Sequence, residues 1–272
     1  MQTKVFDGRA WATAEEEILR EKVRELRDSF NITPSLVSVL VGDDKASKLY
    51  TSLKQNAAQR LGIKFTVRVF DESTSAKSIK KFIQKQNEDE SVHGIMVQMP
   101  LPGKLSASKD EIVDAIDKAK DVDGLRINSE FIHPTVKAIL EVLEIALSDK
   151  SKEKIVLLGS RGMVGSKLIS ELKNQNFNFE GVDKDTDDLA SLTRVADVLV
   201  SATGQASLIT ADLVKEGVVI VDVGAPDPEV ANSAKAKAKL ITPVPGGIGP
   251  MTISSLMQNL LIAARSSFNI PA

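Results

Sequence analysis

The feature that most constrains the fold is the regular alternation of short apolar runs with helix-like segments. The first run, PSLVSVLVGDD, begins after a proline and stops at Gly-Asp-Asp, as a buried strand does. A helical pattern precedes it at residues 12–30. Strand patterns follow at residues 63–70 and 94–102, and helical patterns at residues 46–61, 76–86 and 109–118. Because parallel neighbours need such long crossovers, the alternation predicts βαβ units and a parallel sheet.

The segment KDVDGLRINSEFIHP interrupts this alternation with Asp, Gly, Asn and Pro, which indicates a domain junction. A helical pattern at residues 135–147 then leads into a second alternating set. Its members are the strand patterns KIVLLG, FNFEGVD, ADVLVSAT, GVVIVDVG and KLITPV, a helix at 164–174, and a final helix from Met251 to about Phe268. We therefore expect the α/β class, with residues 1–134 as one domain, residues 251–272 packing back onto it, and residues 135–250 as a second domain.

Composition and charge exclude several classes of function. Lys and Arg number 35 against 37 Asp and Glu, so a net charge of −2 gives no broad electrostatic surface for nucleic acid or an anionic membrane. There is no cysteine, and His93 and His133 are the two histidines, which argues against a cysteine-ligated or histidine-rich metal centre. The N-terminal residues have no apolar signal region, and no apolar stretch reaches membrane-spanning length. We expect a soluble, cytoplasmic protein without a metal.

A glycine loop follows the strand KIVLLG. In GSRGMVG, Gly159, Gly162 and Gly165 allow a tight turn and close approach of a pyrophosphate to a helix N-terminus. The spacing departs from G-x-G-x-x-G, and an ordinary strand-to-helix turn is the alternative. Asp183 ends the next strand, where an acid hydrogen-bonds the ribose of NAD and repels a 2′-phosphate. Arg161 and Lys184 lie nearby in sequence and leave NADP open.

Tyr50 and Lys54 lie four residues apart in a predicted helix, hence on one face of it. Tyr-x-x-x-Lys is also the catalytic pair of short-chain dehydrogenases, but there the pair follows the glycine loop, whereas here it precedes it by more than a hundred residues. The other alternative is packing, with Tyr50 in a core and Lys54 extended to solvent. Gln98 is expected at the carboxyl end of a central strand, where parallel sheets bind ligands, and a satisfied buried amide is the alternative.

Two further segments are candidate ligand-binding loops. Asp121 and Asp123 belong to DVDG, for which a simple Asx turn is the alternative. TPVPGGIGPMT, with its prolines and glycines after the last strand, indicates a backbone shaped around a ligand or else a rigid turn.

Taken together and in this order, these segments resemble the bifunctional methylenetetrahydrofolate dehydrogenase/cyclohydrolase (FolD) family. The resemblance spans nearly the whole chain. It is carried by VGDDKASKLYTSLKQNAAQRLGI, GIMVQMPLP, KDVDG, GSRGMVG, ADVLVSATG, VVIVDVG and ITPVPGGIGPMT. It implies two α/β domains with a cleft between them, the second being a Rossmann-like NAD(P)-binding domain.

The resemblance implies oxidation of 5,10-methylenetetrahydrofolate to the 5,10-methenyl compound with a nicotinamide cofactor, then hydrolysis to 10-formyltetrahydrofolate. Lys54 would assist the hydrolysis, with Gln98 holding it. Tyr50 would lie against the folate, and Asp123 would accept hydrogen bonds from the pterin ring. The turn at Pro245, Gly246 and Gly247 would face the folate. The implied cofactor-binding residues are Gly159, Ser160, Arg161, Gly162, Val164, Gly165, Asp183, Thr203 and Gly204.

The family is typically a cytosolic homodimer acting on tetrahydrofolates, which can be polyglutamylated. This chain departs from its pattern in three places. The usual G-R-S-x-x-V-G loop has Ser160 and Arg161 exchanged, which with Asp183 favours NAD over the common NADP. Where the family has P-x-T-P-x-G, this chain has HPTVKAI, which keeps Thr135 but has Val136 and Ala138 in place of Pro and Gly. Where the family has a G-D-V element after VDVG, this chain has the shorter segment APDPEVANSAKAKAK. The alternatives are a monofunctional dehydrogenase and a non-catalytic sibling that binds folate or dinucleotide.

Overall fold

The computed structural model describes residues 2–270, which divide into two compact units. The lysine unit, named for Lys54, comprises Thr13–Pro134 and residues 253–270. The glycine-loop unit comprises residues 2–12 and Thr135–Thr252. The sequence-based boundary grouped residues 1–12 with Lys54 instead. The difference arises because strand β1 (Lys4–Val5) pairs in parallel with β9 (Ala238–Ile241), which no local pattern reveals.

The lysine unit contains, among its described residues, a three-stranded parallel sheet of order β3-β2-β4. The strands are β2 (Ser35–Val41), β3 (Lys64–Phe70) and β4 (Gly94–Val97). The helices are α1 (Gly8–Phe30), α2 (Lys45–Leu61), α3 (Ala76–Asn87), α4 (Lys109–Val113) and α9 (Ile248–Ser266), of which α1 and α9 begin among residues of the other unit.

The central strand β2 is buried along its whole length because apolar layers cover both faces of the sheet. Leu36 belongs to the layer formed with α1, α2 and α9, and its neighbours Val37 and Val39 belong to the layer formed with α3. This explains why β2 reads as a continuous apolar run. The strand therefore holds α2 and the carboxyl end of β4 in fixed positions.

Most boundaries agree with the expectations to within three residues. Helix α1 begins four residues earlier than expected, and β4 ends at Val97 instead of extending to residue 102. Two further expectations were wrong. The helix expected at residues 109–118 ends at Val113. The helix does not resume at Asp117, since its carboxylate accepts the N–H of Ala119 at 2.9 Å and its own N–H donates to Asn87 at 3.0 Å. Gln98 follows β4, which is an edge strand, whereas the sequence placed it on a central strand.

The glycine-loop unit contains, over the described range, a six-stranded parallel sheet of order β1-β9-β8-β7-β5-β6. The remaining strands are β5 (Ile155–Leu158), β6 (Phe179–Val182), β7 (Val198–Ser201) and β8 (Val218–Asp222). The helices are α5 (Pro134–Ala146), α6 (Met163–Asn174), α7 (Leu189–Arg194) and α8 (Asn232–Lys235). Apolar layers again cover both faces, so Ile155 and Leu157 face one layer while Val156 and Leu158 face the other.

The parallel sheets expected from the alternation are confirmed. No helix in the described part of the chain is long and apolar enough to cross a membrane.

Candidate active site

Lys54 lies on α2, which contacts β2 and β3, and Gln98 follows β4, which pairs with β2. Asp44 caps α2 by accepting the N–H of Ser47 at 2.8 Å, and Gly62 closes it in the left-handed conformation (φ 78°). Gln98 extends the sheet by donating its N–H to Val39 at 2.8 Å. The Lys54 Nζ then donates to Gln98 Oε1 at 3.0 Å. Two residues 44 positions apart therefore share one hydrogen bond.

The side-chain amide of Gln98 has one orientation that satisfies both of its ends. Its Nε2 donates to the carbonyl oxygen of Met99 at 2.9 Å, which turns Oε1 toward Lys54. The reverse orientation would set two acceptors, Gln98 Oε1 and the carbonyl oxygen of Met99, against each other. Gln98 is 9% exposed, so its geometry is held by the protein.

The surroundings of Lys54 shift its protonation equilibrium toward the neutral amine. Part of its side chain stays exposed, but burial lowers the pKa of Lys54 below the ordinary lysine value. The charge of Asp123 opposes that shift by raising the pKa. Burial raises the pKa of half-buried Tyr50, one turn earlier, so its phenol keeps its proton. The site thus pairs an amine that loses its proton more readily with a phenol that stays protonated.

The two carboxylates of the DVDG loop lie in different environments. Asp121 is fully buried and accepts the N–H groups of Leu125 at 3.2 Å and Arg126 at 3.0 Å. It therefore shapes the turn, in keeping with the Asx-turn alternative. Asp123 is partly exposed and is the residue whose charge acts on Lys54. Gly124 is required by its φ of 62° and because a Cβ there would lie 2.7 Å from the Phe131 carbonyl oxygen.

Asn259, on α9, holds this loop and was not singled out in the sequence. Its side-chain amide is 3% exposed, and its Nδ2 donates to the carbonyl oxygens of Val122 and Ile132, both at 2.9 Å. The two carbonyls flank the stretch that contains Asp123. The signal in the sequence is a polar residue within a largely apolar helix, and such a residue does not by itself identify the groups that it bonds.

In the glycine-loop unit, the glycines of the loop lie in close contact with neighbouring backbone. Gly159 has a φ of 92°, and a Cβ there would overlap the carbonyl oxygen of Ala202. A Cβ on Gly165 would overlap the carbonyl oxygen of Gly159. Helix α6 begins directly after Gly162, and Val164 in its first turn packs against the hydrophobic core. The glycines therefore permit a close approach of strand, loop and helix, as at a dinucleotide site.

Asp183 meets the glycine loop at the end of β6. Its carboxylate accepts the Ser160 hydroxyl at 2.7 Å and the Arg161 Nε at 2.9 Å. Burial alone would raise the pKa of Asp183, but the hydrogen bonds from Ser160 and Arg161 and the charge of Arg161 lower it below the usual range. Arg161 also forms an ion pair with Asp185. The guanidinium expected near a cofactor phosphate thus lies between two carboxylates.

Two other predicted groups also lie in the glycine-loop unit. The N–H groups of Thr203 and Gly204 donate to the carboxylate of Glu229, at 2.9 and 2.7 Å. Sequence reasoning missed Glu229, since an acid in a loop is usually solvated. The Pro245–Gly247 turn contains Gly246 with a φ of 112°, and the N–H of Gly247 donates to Pro243 at 2.7 Å. This turn belongs to a different unit from Lys54, Gln98 and Asp123.

Two family models match the chain. The tetrahydrofolate dehydrogenase/cyclohydrolase catalytic domain matches residues 6–123, and the NAD(P)-binding domain of the same family matches residues 133–268. The bifunctional protein FolD of Lactobacillus acidophilus is 38% identical over 282 residues, which cover 96% of this chain and 97% of that protein.

Solved structures agree with these matches. The bifunctional FolD methylenetetrahydrofolate dehydrogenase/cyclohydrolase from Campylobacter jejuni is similar with a TM-score of 0.89 and 33% identity, over 97% of this chain and 99% of that one. The Trypanosoma brucei FolD, solved with NADP and an inhibitor, has a TM-score of 0.92 and 29% identity, over 98% of this chain and 99% of that one.

Proposed function

The chain belongs to the tetrahydrofolate dehydrogenase/cyclohydrolase family, and we propose that the chemistry of its two reactions is divided between residues of the two units. It oxidises 5,10-methylenetetrahydrofolate to the 5,10-methenyl compound with a nicotinamide dinucleotide and hydrolyses that compound to 10-formyltetrahydrofolate. The matches support neither a monofunctional dehydrogenase nor a non-catalytic sibling. The lysine unit holds the folate, and the glycine-loop unit holds the dinucleotide.

The hydrolysis depends on Lys54. Water adds to the methenyl carbon, and the neutral amine of Lys54 accepts a proton from that water. The bond from this carbon to N5 then breaks as N5 takes up the proton held by Lys54 and the hydroxyl of the adduct releases its own proton to solvent, which leaves the formyl group on N10. Two features of Lys54 support this role. Gln98 holds its Nζ by a hydrogen bond, and burial lowers its pKa. A general acid–base group of this kind contributes about 10²–10⁴-fold in rate.

The oxidation needs positioning more than acid–base groups. The lone pair of the folate nitrogen expels the hydride from the methylene carbon, and the nicotinamide accepts it. The methenyl product is a cation, so the lowered pKa of Lys54 reduces repulsion from its side chain, and the carboxylate of Asp123 is favourable nearby. Asp123 also accepts N–H groups of the pterin, and Tyr50 lies against the ring. Pro245, Gly246 and Gly247 are proposed as further folate-binding residues.

We propose NAD as the preferred dinucleotide. It is bound by Gly159, Ser160, Arg161, Gly162, Val164, Gly165, Asp183, Thr203 and Gly204. Asp183 repels a 2′-phosphate. Its ion pair with Arg161, supplemented by Asp185, leaves that guanidinium already neutralised, which supports the same preference.

We also propose a cytoplasmic homodimer that accepts polyglutamylated folates. The dimer is supported by β3, an edge strand whose Val69 is 55% exposed. Light scattering after size-exclusion chromatography tests it, and a monomer at micromolar concentration would reject it.

The deciding experiment follows methenyl absorbance with methylenetetrahydrofolate and either NAD or NADP. Turnover with NAD should be at least as good as with NADP. Lys54→Met should abolish methenyl hydrolysis, and the matched control is Lys48→Met, an exposed lysine on the same helix. Survival of hydrolysis in Lys54→Met would reject the role of Lys54.

A further inference from the structure

The six-stranded sheet has its topological switch point between β5 and β7. From β5 the chain continues to β6 on one side, and β7, β8 and β9 then extend the sheet on the other. Parallel sheets bind ligands at the carboxyl ends of the two strands that flank such a point. The glycine loop follows β5, and residues 202–204 follow β7. These two loops touch, since any Cβ on Gly159 would meet the carbonyl of Ala202 and lie 3.1 Å from the Thr203 nitrogen.

The carboxylate of Glu229 holds the loop after β7 through hydrogen bonds. It accepts the Thr203 N–H at 2.9 Å, the Thr203 hydroxyl at 2.8 Å and the Gly204 N–H at 2.7 Å. The Ser201 hydroxyl also donates to it. Glu229 is 1% exposed, so these four donors come from the protein and leave the carboxylate no surface for a ligand.

Glu229 is itself anchored to the sheet. Its N–H donates to Asp222 Oδ1 at 3.2 Å, and the N–H of Val230 donates to Asp222 Oδ2 at 3.1 Å. Its carbonyl accepts the N–H of Ile209 at 2.9 Å. Asp222 is the last residue of β8 and is 1% exposed. The contacts therefore run from the end of β8 through Glu229 to the loop at the switch point.

We propose that Glu229 is a positioning residue for the dinucleotide, which acts by fixing residues 201–204 against the glycine loop. This inference rests on the proposed function of the glycine-loop unit. The position requires a group that only accepts hydrogen bonds, because all four partners donate. An amide there must turn its NH₂ toward at least one of them, and the Gly204 N–H, alone on Oε1, is the first to be lost.

The test compares Glu229→Gln with Glu216→Gln, the same change at an exposed position of the same unit. Kinetics of methylenetetrahydrofolate oxidation give KM for the dinucleotide and for the folate, and methenyl hydrolysis is measured without dinucleotide. We expect KM for the dinucleotide to rise about tenfold in Glu229→Gln, as the loss of one charged hydrogen bond implies. The folate KM and the hydrolysis rate should stay within twofold of wild type, and Glu229→Asp should restore part of the dinucleotide affinity.

A second variant keeps the inference testable if Glu229→Gln does not fold. Ser201→Ala deletes one donor to Glu229, and Ser201 is fully buried, so it acts on the dinucleotide only through the loop. We expect KM for the dinucleotide to rise two- to threefold. An unchanged KM in a folded Glu229→Gln or Ser201→Ala, or equal losses of hydrolysis and oxidation, would overturn the inference. Absence of dinucleotide-dependent turnover in wild type would instead overturn the proposed function.

Discussion

Gln98 and Lys54 are held to each other by an amide that has no freedom to turn over. Gln98 Oε1 accepts from Lys54 Nζ at 3.0 Å while Gln98 Nε2 donates to Met99. The amide thereby fixes the position of the Lys54 Nζ without adding charge, so the effect of burial on the pKa of Lys54 is not offset at this contact. A carboxylate in the same place would hold Lys54 equally well but would stabilise its charged form.

Gln98→Glu should move the pH profile of methenyl hydrolysis. The added charge beside Lys54 raises the pKa of its amine, so the neutral form becomes populated only at higher pH. We expect the profile to shift toward alkaline pH by about one unit, with an about tenfold slower rate at pH 7. Gln59→Glu, an exposed site on the same helix, is the control. An unshifted profile would show that the protonation of Lys54 does not limit the rate.

Lys54→Met should stabilise the protein while removing hydrolysis. Burial makes the folded-state pKa of Lys54 lower than its ordinary value of 10.5, so the folded state binds fewer protons between those two values. The free energy of unfolding therefore rises with pH across that interval. Below the interval, the full destabilisation from burying the charged Lys54 is present. We expect Tm to increase by about 2 °C at pH 7 in thermal unfolding. The difference should shrink toward pH 10.5, and a lower Tm at every pH would contradict this account.

Asn259→Ala should loosen the DVDG loop. The change leaves two carbonyl oxygens, of Val122 and Ile132, without the amide that bonds both. We expect a loss of about 2 kcal/mol in the free energy of unfolding, measured with urea, and a higher folate KM because Asp123 lies between them. Asn174→Ala, at the exposed end of α6, is the control and should change neither quantity. A folate KM equal to that of wild type would separate the loop from substrate binding.

Asp183→Ser should change the choice of dinucleotide. Removal of this carboxylate takes away the group that repels a 2′-phosphate and releases Arg161 from one of its two acidic partners. We expect the ratio of kcat/KM for NADP to that for NAD to rise at least about tenfold. Asp187→Ser, an exposed acid in the same segment, serves as the control. If the ratio stays constant, Asp183 does not select the cofactor.

Much of the fold and the lysine site could be predicted from the sequence because the signals are local. Asp44 and Gly62 mark the ends of α2, and the apolar run of β2 follows from burial on both faces of a parallel sheet. The spacing of Tyr50 and Lys54 sets both on one helical face. The match of several ordered segments then indicates the chemistry that such a pair serves.

The order of strands and helices and the identity of the chemical groups follow from the amino-acid sequence alone, since both depend on neighbours within a few turns of chain. Which distant groups meet depends on the folded structure. Asn259 lies 137 residues from Val122, Glu229 lies 26 residues from Thr203, and β1 pairs with a strand more than 200 residues away. A hydrogen bond satisfies a buried donor regardless of the sequence separation of its acceptor, so no local pattern encodes the partner.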